Sequence, residues 1–375
     1  MVLIAAAAGS AGAKPTAVTA PPGALVKAWG LSPVYTRYLS VGGLPVLGSA
    51  KVSGFAVAEA AYLVRKMIGH RPDILRALVA GRVRVVAMAA TEVTTDVPEH
   101  SDLRPRAYWN RRARGLGATR VRPAVSSGEE NLLDLPGDPY AKENIFIHEF
   151  AHTIHELGLS AVDPTFDGRL RAAYDSARAK GLWKGTYAME NPSEYWAEAV
   201  QSWFDCNRAN DHDHGPIATR EKLKAYDRKV ATLCAEVFGD GRWRYRKPSK
   251  RPAAERAHLR GFDVAKGGRF AWPREAPTLE QQGQPLRWSA GRALPSASPR
   301  GEGAKTTILF VNRRKRPVTV EWLDFDGRRK TYGELRPAAS KLQRTFAGHV
   351  WVVSERGVVL GHVVATGRPG RVVIR

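Results

Sequence analysis

Residues 144–158 read NIFIHEFAHTIHELG, and the fold turns on how His148, Glu149 and His152 are taken. Ile147, Phe150, Ala151 and Ile154 recur at helical spacing and make one apolar face. Gly158 sits where a C-terminal helix stop is expected. Positions i and i+4 stack on one side of a helix, so the imidazoles of His148 and His152 can reach one metal ion with Glu149 beside them. By chance the H-E-x-x-H pattern arises in about one shuffled chain of this composition in seventy, so alone it is suggestive. The competing reading is a pair of surface histidines on an amphipathic helix. A third ligand elsewhere in the chain decides between the two.

Catalytic zinc usually takes three protein ligands and keeps one position open for water. The candidates are Glu194 or Glu198 in NPSEYWAEAVQSWF, 191–204, and His212 or His214 in NDHDHG. An ordinary structural role is open to the first glutamate, because Asn191 as N-cap, Pro192 at N1 and Glu194 at N3 compose a capping box. Yet E-x-x-x-E places Glu194 and Glu198 on one helical face while Ala199, Val200 and Trp203 turn towards the core. Like charges at i,i+4 repel unless a cation or a donor lies between them. The histidines of DHDH fall in a polar loop, where solvated roles are commoner. Glu194 is the favoured third ligand.

The remainder of the chain supplies a domain to hold this site. At 375 residues the chain is long enough for two or three domains and a sizeable core. Helical periodicity marks 56–69, 73–81, 191–204 and 220–239, and 82–89 and 122–127 read as strands, the second at a sheet edge. Residues 15–50 are punctuated by proline and glycine and read as loop-rich. Helices with a few strands and the motif on a central helix suit an α+β metallopeptidase-like domain over 25–245. Residues 246–302 are rich in Arg, Pro, Gly and Ser and read as an irregular basic wrap and linker. From 303 to 375 the texture changes to short β-rich runs between turns, which reads as a small all-β sandwich domain.

Charge is unevenly spread. Residues 246–375 carry 27 Lys and Arg against 10 Asp and Glu, out of a net charge of +22 for the chain. Such a tail invites a nucleic-acid reading, but outside RRKR, 313–316, the basic residues are scattered and no recognition motif accompanies them. Solvated strand faces and adhesion to anionic surfaces explain them better. No apolar run approaches the roughly 20 residues of a membrane span. The start, MVLIAAAAGSAGAKP, has a short apolar run and an A-G-A end but lacks a basic n-region. Residues 1–24 are read as a clipped signal or a flexible tail, with secretion or cell-surface display as the expected destination. Only Cys206 and Cys234 are present, so one disulfide is conceivable and no disulfide framework is.

IHEFAH followed by YAMENPSEYWAEAV resembles the catalytic domain of anthrax lethal factor and its relatives, the Pro-Pro endopeptidases, which are zincin-like metallopeptidases. The resemblance implies that Glu194 joins His148 and His152 on zinc, that Glu198 orients a ligand histidine, and that Tyr187 faces the reacting carbonyl. It gives His155 no role, and that residue reads as a polar residue or one that supports a ligand from behind. The chemistry is coherent on its own terms. Glu149 can accept a proton from an activated water and pass it to the leaving amine, and Tyr187 can donate to the oxyanion. The expected partner is a protein or peptide substrate.

The C-terminal stretch TTILFVNRRKRPVTVEWLDFDGRRKTYGELRPAASKLQRTFAGHVWVVSE, 306–355, is similar to the β domain of the von Hippel–Lindau protein, through its FxN start, WLDFDG, and FAGHVW. That family grips hydroxyproline in a small pocket. The resemblance implies a peptide-binding site from Trp322, Tyr332, Thr345 (serine in the family), His349 and Trp351, and a partner rich in proline or hydroxyproline. Without the family, the two tryptophans read as sandwich core.

Overall fold

The computed structural model describes residues 17–211, 213–273, 283–291, 293–300 and 303–375. Most of the signal-like start and His212 therefore lie outside the described residues, as does part of the 246–302 stretch. The chain forms two compact units, residues 1–102 with 113–272, and residues 103–112 with 273–375.

The first unit is α+β. Its sheet runs in the order Tyr35–Val41, Leu44–Ser49, Arg84–Met88, Ala124–Gly128, Gly115–Leu116. The two outer pairs are antiparallel and the two inner pairs parallel. Between Leu44–Ser49 and Arg84–Met88 the chain crosses over through helices Gly54–Ile68 and Pro72–Ala80, as a parallel pair requires. Helix Gly54–Ile68 is buried along most of its length, and Ser53 Oγ caps it by accepting from the Phe55 N–H. The motif helix Ile145–Thr153 and the helix Pro192–Trp203 lie in the same apolar core, with Phe146, Phe150, Trp196 and Trp203 fully buried.

Five local expectations are revised. The 15–50 segment holds a helix, Gly23–Trp29, and a β-hairpin closed at Gly42 and Gly43, both at positive φ as a tight hairpin turn demands. Strand Ala124–Gly128 is interior, because the two-residue strand Gly115–Leu116 takes the edge. Helix Phe166–Ala179 was not anticipated. The 220–239 helix is broken at Asp227, whose buried carboxylate accepts from Trp183 Nε1–H (2.9 Å) and Tyr195 O–H (2.6 Å). Gly158 does not end the motif helix. The helix widens into a π-helical turn at Ile154–Leu159, and Gly158 is there because a Cβ would come within 2.9 Å of Ile74 Cγ2.

The first unit continues past 245. Three 3₁₀ turns, Pro248–Lys250, Ala253–Leu259 and Val264–Lys266, fold along it. They are pinned by Arg251, which gives both terminal guanidinium nitrogens to the buried Glu59 at 2.8 and 2.5 Å and lies over the rings of Tyr62 and Tyr245. His258 Nε2 also meets Glu59 at 2.7 Å and stacks on Tyr62.

The second unit adds the short helix Arg106–Arg112 to an all-β C-terminal part of two sheets. One has the order Arg329–Leu335, Val318–Leu323, Val350–Glu355, Val358–Val364, Ser289–Ala290. The other has Ser340–Phe346, Lys305–Asn312, Gly370–Ile374, Gln284–Pro285. Ile308, Phe310, Val320, Trp351, Val353, Val363 and Val372 interdigitate between them. Cys206 and Cys234 are both free and buried, and among the described residues no helix is long and apolar enough to cross a membrane.

Removing one partner of a buried ion pair costs roughly 3–5 kcal/mol. Because His258 still faces Glu59, Arg251→Leu should destabilise the first unit by about 3 kcal/mol, at the lower end of that range, in equilibrium denaturation. An unchanged midpoint would show the 246–272 segment to be loosely laid on.

Candidate metal centre and aromatic pocket

Two helix starts set the geometry. Asn144 Oδ1 accepts from Ile147 N–H, and Asn191 Oδ1 accepts from the N–H groups of Ser193 and Glu194. Asn191 and Pro192 therefore cap as the sequence suggests, but the Glu194 carboxylate does not complete a capping box. It turns to the histidines instead. Across the helix contact, Trp196 Nε1–H donates to the Ala151 carbonyl at 3.1 Å, which locks the register of the two helices.

The result is a triangle of donor atoms. His148 Nε2 and His152 Nε2 are 3.1 Å apart, and each is 3.2 Å from Glu194 Oε2. Zinc bonds of 2.0–2.1 Å in a tetrahedron put neighbouring donors about 3.3 Å apart. The triangle has the dimensions of one face of such a tetrahedron. Among the described residues, His148, His152 and Glu194 are the group of metal-binding side chains close enough to share an ion.

The far sides of both rings are tied down. His148 Nδ1–H donates to Gln201 Oε1 at 2.8 Å, since the Gln201 amide nitrogen is engaged with Glu143 Oε2 and the Asn144 carbonyl. His152 Nδ1–H donates to Ser193 Oγ, which in turn donates to Glu156. Each ring therefore presents the lone pair of Nε2 to the centre, as outer hydrogen bonds commonly arrange for metal ligands. Burial opposes protonation of His148, but Glu194, Glu149 and Glu198 outweigh it and hold its pKa up at about 10. Burial likewise opposes ionisation of Glu194, yet the two histidines pull its carboxyl far below the usual range.

Glu198 Oε1 lies 3.6 Å from His148 Nδ1 and 3.4 Å from His214 Nε2, and Asn207 Nδ2–H donates to Oε2. Tyr187 is half-buried on the turn before Pro192, its ring 6.4 Å from that of His148 and inclined by 28°. Glu149 is half-buried beneath the edge strand. A Cβ on Gly115 would sit 3.0 Å from Glu149 Cγ, and one on Gly117 3.2 Å from His152 Cβ. The bare backbone of Gly115–Gly117 therefore runs along the polar side of the motif helix. His155 faces away, bonded to Asp167 at 2.8 Å. Gln201, Ser193 and Asn207 escaped sequence reading. Gln201 lies three residues beyond Glu198 on the same helical face, which was the one signal for it.

In the second unit all five pocket residues come together. Trp322 and Trp351 are direct partners on adjacent strands. Trp351 is buried in the sandwich core and Trp322 half-buried against it. The His349 ring stacks on Trp322 at 5.2 Å, and Tyr332, 41% exposed, meets Trp351 edge-on at 4.9 Å. Trp351 Nε1–H donates to Thr345 Oγ1 at 2.8 Å, which leaves the threonine hydrogen free to donate. The buried Trp322 Nε1 has no partner among the described residues. Burial lowers the pKa of His349.

Residues 300–358 match the family model of the VHL beta domain. The chain is also similar to the solved structure of the Pro-Pro endopeptidase PPEP-2 from Paenibacillus alvei, at 19% identity and a TM-score of 0.29, over 51% of this chain and 94% of that one. A TM-score at that level adds nothing to the geometry of the site.

Metal analysis of the purified protein should give one zinc per chain, and His148→Ala, His152→Ala or Glu194→Ala should each abolish its retention through a desalting column. Gln201→Leu should keep the metal with about 10-fold weaker affinity. Full occupancy in Glu194→Ala would remove that residue from the ligand set.

Proposed function

We propose that the first unit is a zinc-dependent endopeptidase and that the second is a peptide-binding module which reads proline or hydroxyproline. The observation that carries the enzymatic reading is the donor triangle with Glu149 on the intervening helical turn and the last strand of the sheet beside it. A bound zinc ion would supply Lewis acidity and lower the pKa of a water molecule towards about 7.

The chain's own residues do the rest. Gly115–Leu116 is the last strand of the sheet among the described residues, and its outer side is where an extended peptide would add through main-chain hydrogen bonds. Without side chains at Gly115 and Gly117, that strand itself lies close to Glu149 and His152. Glu149 accepts the proton of the attacking water as the carbon–oxygen bond forms, then delivers it to the amide nitrogen as the carbon–nitrogen bond breaks. The Tyr187 hydroxyl donates to the developing oxyanion. Gln201 and Ser193 keep the ligand histidines aimed while charge moves.

For the second unit, the supporting observation is a half-open aromatic box with a free hydroxyl hydrogen on Thr345 and a buried indole N–H on Trp322. Aromatic walls suit a pyrrolidine ring, and the polar groups suit a hydroxyl on it. A linked reader would raise the local concentration of Pro-rich chains at the peptidase.

Glu149→Gln should retain zinc and abolish hydrolysis of a peptide library followed by mass spectrometry. Tyr187→Phe should lower kcat by roughly 10²–10³ with KM much less changed. A wild-type protein that holds zinc and cleaves no peptide would favour the second reading, a binding protein with an inert zincin-like unit. Calorimetry of the full-length Glu149→Gln protein against paired peptides should show a strong preference for 4-hydroxyproline over proline, since a site built to bond a hydroxyl rejects the analogue lacking it. Equal binding would reduce the β unit to a spacer.

A further inference from the structure

The sequence offers His214 as a metal ligand, and the structure keeps it out of the triangle while burying it behind. We propose that the loop carrying Asp211, Asp213 and His214 is a positioning element for the metal centre. It acts through His214 on Glu198 and through the Asp213 carbonyl on Tyr187. The proposal rests on the peptidase reading above and names the residues that hold its machinery in register.

Glu198 is buried, and one carboxylate oxygen sits between two imidazoles, 3.6 Å from His148 Nδ1 and 3.4 Å from His214 Nε2. Besides His148 Nδ1, the imidazole nitrogen that meets that carboxylate is His214 Nε2. Its ring is aimed for this. Asp211 Oδ1 accepts from His214 Nδ1–H at 2.8 Å and from the backbone N–H groups of Asp213 and His214 at 2.9 Å, so Nε2 must point at Glu198. Asp211 is itself held by Arg208 at 3.3 Å, and the same guanidinium pairs with Glu143, which accepts from Gln201. Both groups that face His148 Nδ1, Gln201 and Glu198, therefore trace back to Arg208 and this loop. The loop is closed by Asn210 N–H to the Gly215 carbonyl, and the Asp213 carbonyl accepts the Tyr187 N–H at 2.7 Å. One short loop thus fixes the backbone of the oxyanion donor and the outer partner of a metal ligand.

The test is a double-mutant cycle on zinc affinity, read by competition with a chromophoric chelator in the full-length protein. His214→Leu alone should weaken zinc binding by roughly 10–100-fold, the range for groups that orient a ligand. In a Glu198→Gln background the same change should have little further effect, because the path runs through that carboxylate. Asp211→Asn, a milder change at a part-exposed position, should move affinity in the same direction by less and keeps the test alive if His214→Leu does not fold. Both variants should also lower kcat more than they raise KM. Equal weakening by His214→Leu in both backgrounds would reduce it to ordinary packing, and wild-type affinity in His214→Leu and Asp211→Asn would overturn the proposal outright. Either result leaves the peptidase reading standing, whereas a wild-type protein that binds no zinc would remove that reading and this one together.

Discussion

His148 and Glu194, 46 residues apart in the chain, are held within hydrogen-bond distance inside the contact between two helices. Three electron-rich atoms at 3.1–3.2 Å repel one another unless a proton or a metal ion shares them. The surrounding fold keeps them there regardless. Phe146, Phe150, Trp196 and Trp203 are buried to completion on the apolar sides of the two helices, and Trp196 fixes their register through the Ala151 carbonyl. Packing of this density makes a one-residue slide expensive, so the polar edges have no way to separate.

Outward from the triangle, each layer has a defined task. Gln201 and Ser193 set the ring orientations, and Glu143, Glu156 and Arg208 hold those two in turn. On the other side the site meets the glycine-bearing edge strand rather than more core. The site thus has a rigid backing on one side and the last strand of the sheet on the other.

Much of this was legible in the sequence, for identifiable reasons. The i,i+4 histidines, the Asn191–Pro192 start and the like-charged Glu194–Glu198 pair are local patterns with local physical consequences, and the structure brings His148, His152 and Glu194 together. The short β-rich runs between turns after 303 likewise announced the sandwich. What escaped depends on tertiary partners. Asp227 breaks a helix because Trp183 and Tyr195, distant in sequence, need its carboxylate. Gly158 looked like a stop and is a close-packing residue against Ile74. Strand Gly115–Leu116 is two residues long and carries no periodicity at all. Gln201 is an unremarkable helix former until its neighbours are known.

The two units differ in character. The first buries several ionisable pairs, among them Glu59 with Arg251 and Arg114 with Glu130, besides its donor triangle, and the second has a core of aliphatic and aromatic side chains. The central claim, that His148, His152 and Glu194 jointly hold zinc, is tested most directly by X-ray absorption at the zinc edge on the intact protein. The account predicts a four-coordinate shell of nitrogen and oxygen at about 2.0–2.1 Å, with an imidazole signature from two rings and no sulfur. A Glu194→Ala variant should lose the metal. A sulfur contribution near 2.3 Å, or an unchanged spectrum after removal of Glu194, would contradict it.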